Sequence, residues 1–203
     1  MNVLLLHGQG RTTNAMRVLG FRLYKLGYRV QYFRYYTRKE RFEGIVNRFV
    51  QWVNNTISDG QPYAIVGHSM GGLIARAGLP LLENLPIHLF LLASPNRPPK
   101  LAPYVQNNFL YKYLTTDCGQ LVLSSNFYQK LPLPNIPATI IAGFAGPRAE
   151  WLPYGFEPND GALSVQDTSL GSGYELLQVP SIHTFIMNSK LTLQHIERIL
   201  SES

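Results

Sequence analysis

The sequence predicts an α/β protein: an open, mostly parallel sheet of about six strands with helices on both faces. Three observations carry that expectation. Apolar, strand-like runs alternate with segments of helical periodicity along the chain, the order of a parallel sheet with helical crossovers. One run, Ala64-Ile65-Val66, passes into Gly67-His68-Ser69-Met70-Gly71, a G-x-S-x-G turn with helix-compatible Leu73-Ile74-Ala75-Arg76-Ala77 behind it. Another, Asn2-Val3-Leu4-Leu5-Leu6, is too short to span a membrane and ends in His7-Gly8-Gln9-Gly10.

The elements follow in order. Residues 2–6 read as the first strand and residues 13–26 as a helix, with Gly27 where a helix C-cap is wanted. Residues 28–35 alternate like a strand. Residues 41–57 space Phe42, Ile45, Val46, Phe49, Val50 and Val53 at helical intervals. The Ser69 strand and its helix come next, then a buried strand over 87–93 that His88 helps to open. Residues 137–143 form the penultimate strand and 174–179 the last. A final amphipathic helix over 191–200 carries His195.

Composition predicts one domain over residues 1–203. A chain of that length buries a substantial core, and 45% hydrophobic with 15% charged residues excludes a disordered chain. The single cysteine, Cys118, excludes an internal disulfide and spells out no thiolate metal site. With no basic leader before the first strand, a cytoplasmic location is expected.

The serine turn has a chemical logic of its own. A G-x-S-x-G sequence between strand and helix forces one serine into a strained turn, and the following helix points its unpaired N–H groups toward it. In these motifs, at residues 2–10 and 64–77, the chain resembles the α/β-hydrolase superfamily, in particular small lipases and esterases. The resemblance implies a trimmed version of that fold and cleavage of carboxylic esters through an acyl-enzyme on Ser69. It also implies an oxyanion hole formed by the main-chain amides of Gln9 and Met70. A thioesterase or acyltransferase using the same serine is the nearest alternative, and a binding protein on a hydrolase scaffold the alternative from another class.

Serine needs a base and an acid behind it, and the superfamily order is Ser, then Asp or Glu, then His. Of the three downstream histidines, His88 opens a strand and His195 sits in a helix. His183, on the loop after the last strand, is the expected base. Glu150, Glu157, Asp160 and Asp167 all stand in order for the acid. Asn159-Asp160-Gly161-Ala162-Leu163-Ser164-Val165 is similar to the Asp-Gly-x-Val-x-Val pattern of several lipase-like hydrolases, which favours Asp160 and leaves Asp167 as the alternative. Asn-Asp-Gly is also ordinary turn chemistry. No metal or organic cofactor is required by this chemistry.

Two aromatic-rich segments lie outside the minimal core. Residues 100–131, with Tyr104, Phe109, Tyr111, Tyr113 and Phe127 among others, are expected to form a small helical cap. Trp151, Tyr154 and Phe156 precede Asp160 and are candidates to line a pocket for an acyl ester or lipid. Charge is uneven: residues 1–50 hold ten Lys or Arg against two Glu, within a net charge of +6. That surface suits acidic ligands or peripheral contact with an anionic membrane. Arg11, just after the His-Gly loop, is the candidate to hold an anionic part of the substrate. Arg and Tyr mingle in residues 32–36, but no recognition motif accompanies them and no nucleic-acid partner is expected.

Overall fold

A computed structural model describes residues 1–108 and 117–202. Six strands form one sheet: β1 (Asn2–Leu6), β2 (Arg29–Phe33), β3 (Tyr63–His68), β4 (His88–Leu92), β5 (Ala138–Gly143) and β6 (Glu175–Val179), in the order β2-β1-β3-β4-β5-β6. Every pairing is parallel, so the sheet is wholly rather than mostly so. β1, β3, β4 and β5 are buried along their whole length, which is why they read as continuous apolar runs instead of alternating.

Each sheet face is covered by helices whose apolar stripes match it. Helix α2 (Phe42–Thr56) and helix α3 (Met70–Gly78) bury Phe42, Ile45, Phe49, Val53, Leu73 and Ile74 against Leu4, Leu6, Ile65, Leu89, Leu91 and Ile140. On the other face, α1 (Arg17–Lys25) and the C-terminal helix Lys190–Ser201 bury Leu19, Leu23, Ile196 and Leu200 against Val3, Leu5, Val66, Phe90 and Ile141. Alternate residues of a strand point to opposite faces, so β1 and β4 feed both layers of core.

The expected first helix divides in two. Residues Thr13–Met16 form a 3-10 turn, with the Thr12 hydroxyl accepting from the Asn14 amide, before α1 begins at Arg17. Of the segment 100–131, Ala102–Val105 and Ser125–Lys130 are short helices. Phe109, Tyr111 and Tyr113 of the expected cap lie outside the described residues. Among the described residues no helix is long and apolar enough to cross a membrane.

Candidate active site

In a parallel sheet all carboxyl ends meet at one edge, and chemistry collects there. Ser69 sits at the tip of β3, half-buried, with φ 52° and ψ −119°. That left-handed region is strained for a residue with a side chain. The surroundings hold it: the Ser69 amide donates to the Leu92 carbonyl (2.9 Å), and the Ser94 hydroxyl donates to the Ser69 carbonyl (2.8 Å). The flanking glycines are spatial necessities. A Cβ on Gly71 would lie 2.7 Å from the carbonyl oxygens of Leu6 and His7, and one on Gly67 would lie 2.6 Å from the Gly72 backbone.

His183 opens the 3-10 segment His183–Asn188, just beyond β6. Its Nε2 lies 3.1 Å from Ser69 Oγ and its Nδ1 lies 2.7 Å from Asp160 Oδ2. Asp160 is buried on the loop after β5. Its Oδ1 accepts from the amides of Ala162 (2.9 Å) and Leu163 (2.7 Å), and its carbonyl accepts from the His183 amide (2.8 Å). The Asn-Asp-Gly turn therefore does two jobs, closing on itself with one carboxylate oxygen and presenting the other to His183.

Asp167, the alternative acid, is engaged elsewhere. Its carboxylate accepts from the Ser164 amide (3.0 Å) and its own amide donates to Ser164 Oγ (3.1 Å), a capping box on the short helix Val165–Thr168. Burial raises its pKa against the pull of those hydrogen bonds. His88 sits in β4, bonded to Thr139 Oγ1 at 3.0 Å, and His195 lies in the C-terminal helix.

The loop after β1 faces the serine from the other side. The Arg11 amide donates to the Gly8 carbonyl (3.3 Å), closing a turn with Gln9 and Gly10 at its centre. The Gly10 amide donates to Thr37 Oγ1 at 3.1 Å. His7 stacks on Tyr35 with ring centroids 4.0 Å apart, and the Tyr35 hydroxyl donates to the His7 carbonyl. Burial and these contacts fix the loop where β1 ends. Met70 follows Ser69 directly and opens α3.

Two cavities meet at the Ser69–His183 pair. One, of about 170 Å³, is lined by Pro95, Pro99, Leu101, Val122, Leu163 and their neighbours. The other, of about 340 Å³, is lined by Gly8, Gln9, Gly10, Arg11 and His68. Trp151 and Phe156 do not join either: they are 83% and 72% exposed. Tyr154 is buried, its hydroxyl donating to the Ala162 carbonyl behind the Asp160 turn. Composition marks these aromatics as apolar, but nothing local to the sequence gives their direction. The slot walls come instead from the proline-rich loop after β4 and the flanks of the segment 100–131.

His68 went unnoticed in the sequence because it holds the variable position of G-x-S-x-G. It is fully buried, with Nε2 3.0 Å from the His183 carbonyl and its ring centroid 5.0 Å from that of His183. Burial first, then the neighbouring His183, Arg11 and His7, holds its pKa well below the ordinary imidazole value. A pairing of one histidine at the end of β3 with another beyond β6 has no signature in a single sequence.

Solved structures place this architecture among known folds. The phospholipase PlaB from Legionella pneumophila, in complex with thio-NAD, superimposes with a TM-score of 0.68 at 22% identity over 83% of this chain. The chain spans 44% of that phospholipase's length. The mature lipase BlEst2 of Bacillus licheniformis gives 0.74 at 17% identity, covering 98% of this chain and 91% of the lipase. The metagenomic carboxyl esterase MGS0156 gives 0.76 at 15%, covering 100% and 76%. No family model matches the sequence, and no curated protein matches it either. The fold of this chain is that of the α/β-hydrolase superfamily.

Proposed function

We propose that this protein is a serine hydrolase of carboxylic esters that works through an acyl-enzyme on Ser69. The observation that carries the reading is the hydrogen-bonded chain from buried Asp160 through His183 to Ser69, 2.7 and 3.1 Å long. Asp160 is the acid, and its acceptor oxygen fixes the proton of neutral His183 on Nδ1, which leaves Nε2 free to take the Ser69 proton. Ser69 Oγ then bonds to the ester carbonyl carbon. His183 returns the proton to the alkoxide as the carbon–oxygen bond breaks, and the alcohol leaves. Water, activated by the same Nε2, hydrolyses the acyl-enzyme and restores the serine.

The amides of Gln9 and Met70 are the oxyanion donors in this reading. Both belong to rigid elements: Gln9 to the turn pinned by His7, Tyr35 and Thr37, and Met70 to the first turn of α3. A preset donor of this kind lowers the barrier by about 3 kcal/mol. That the solved relatives are a phospholipase, a lipase and a carboxyl esterase supports the ester as substrate.

The test is release of p-nitrophenol from p-nitrophenyl esters by wild type and Ser69→Ala. Turnover falling at least about 10³-fold in a folded variant is the expected result. Turnover equal in both would sink the reading. Labelling of Ser69 by a fluorophosphonate without ester turnover would transfer the same machinery to a thioester or an acyl acceptor.

A further inference from the structure

The two cavities that meet at Ser69 differ in chemistry as well as size. The 170 Å³ slot is walled by Pro, Leu, Val and Ala side chains, and is smaller than the roughly 300 Å³ at which pockets for drug-sized ligands begin. The 340 Å³ basin is lined by Gly8, Gln9, Gly10, Arg11, His68, Ser69 and His183, with Arg11 its one Lys or Arg. Arg11 is half-buried, and among the described residues its guanidinium makes no hydrogen bond or ion pair. No Asp or Glu is among the residues that line the basin with it, and Asp160, behind His183, is bonded to that imidazole. The Gly10–Thr37 hydrogen bond ties the Arg11 loop to the turn bearing exposed Arg38 and Lys39, so further positive charge follows at the same sheet edge.

From this asymmetry we infer that the slot takes a short acyl chain and the basin takes the leaving alcohol. The preferred alcohol carries an anionic group, a phosphate or carboxylate, held by Arg11. A guanidinium presents paired donors that match such groups. The inference rests on the ester-hydrolase reading. The same bond is broken as in a neutral ester, with the proton from His183 passing to the alkoxide, and the anionic alcohol departs through the basin that held it.

The test uses the full chain and two monomeric substrates with one acyl group, 1-hexanoyl glycerol and 1-hexanoyl glycerol 3-phosphate. Wild type should favour the phosphate ester by tenfold or more in kcat/KM. Arg11→Gln should lower that preference at least tenfold, chiefly through KM, and Arg11→Lys should fall between. Arg29→Gln removes an exposed cation at the opposite, amino end of the sheet and should leave the preference intact. A palmitoyl glycerol 3-phosphate arm separates a soluble phosphoester from a lipid head group: the slot predicts the hexanoyl ester to be better. No preference in wild type, no change in Arg11→Gln, an equal loss in Arg29→Gln, or a palmitoyl optimum would each overturn the inference. Should p-nitrophenyl butyrate be turned over by wild type and not by Ser69→Ala, the hydrolase reading survives any of those outcomes. No turnover of any ester, p-nitrophenyl butyrate included, overturns both.

Discussion

His68 donates from Nε2 to the main-chain carbonyl of His183 at 3.0 Å, so the residue before the elbow serine is fastened to the segment bearing the proposed base. A carbonyl only accepts, which places the proton of neutral His68 on Nε2 and leaves Nδ1 bare, buried and facing Gly8. Protonating that ring would put a buried cation against His183. The two loops that meet at the site are thus coupled through one imidazole that must stay neutral.

Stability should therefore fall in mild acid. Burial, the largest cause in each case, lowers the pKa of His68, His7 and His88 below the ordinary value of 6.5. The unfolded chain takes up protons as pH drops through 6.5 while the folded chain does not, so stability is full above that pH. It is lost as pH falls toward the folded values, by up to ~1.4 kcal/mol per pH unit for each group. Urea midpoints at pH 8.0, 6.5 and 5.5 read this directly. His68→Gln should flatten the acid limb, and an identical slope in the variant would remove His68 from the account.

Asp160 and Asp167 should separate cleanly by substitution. Asp160→Asn keeps an acceptor for the Ala162 and Leu163 amides but turns an N–H toward His183 Nδ1, which drives the imidazole proton to Nε2, where it blocks the serine. kcat should drop by about 10⁴ with little change in melting temperature. Asp167→Ala strips the buried Ser164 amide of its acceptor and should cost about 1–3 kcal/mol of stability while kcat per folded molecule is kept. Steady-state kinetics beside thermal melts distinguish them, and the reverse pattern would reassign the acid.

Filling the apolar slot should shorten the acyl chain it accepts. Leu101 lines that slot beside Ser69, and Leu101→Trp replaces empty volume with an indole. Each methylene seated in such a pocket is worth about 1–3 kcal/mol, or 10- to 200-fold in kcat/KM. Acetyl esters should be affected least and hexanoyl esters most across a p-nitrophenyl series. A uniform loss along the series would mean that the acyl chain lies elsewhere.

The sheet was legible because its central strands are buried on both faces, leaving unbroken runs such as Leu89-Phe90-Leu91-Leu92 that no surface element carries. Ser69 was legible from the clash its flanking glycines avoid, and chain order selected a histidine and an aspartate that lie within hydrogen-bond reach of one another. The pocket was not legible. Trp151 and Phe156 have the composition of a binding wall and point to solvent, whereas Pro95 and Pro99 look like a chain break and form one. Direction is set by how loops lie over the sheet, and apolarity alone does not encode it. The 3-10 turn over Thr13–Met16 was hidden for a related reason, since its apolar spacing merges with that of α1.

Ser69 and His183 are 114 residues apart in sequence, and β4 and β5 stand between the strands that present them. Their hydrogen bond closes only after the far edge of the sheet has docked, and contacts of such separation form slowly because a long loop must be closed first. During refolding, backbone and core signals should accordingly recover ahead of the Ser69–His183 contact. Burst labelling of Ser69 would then act as a clock for the last event in the assembly of the chain.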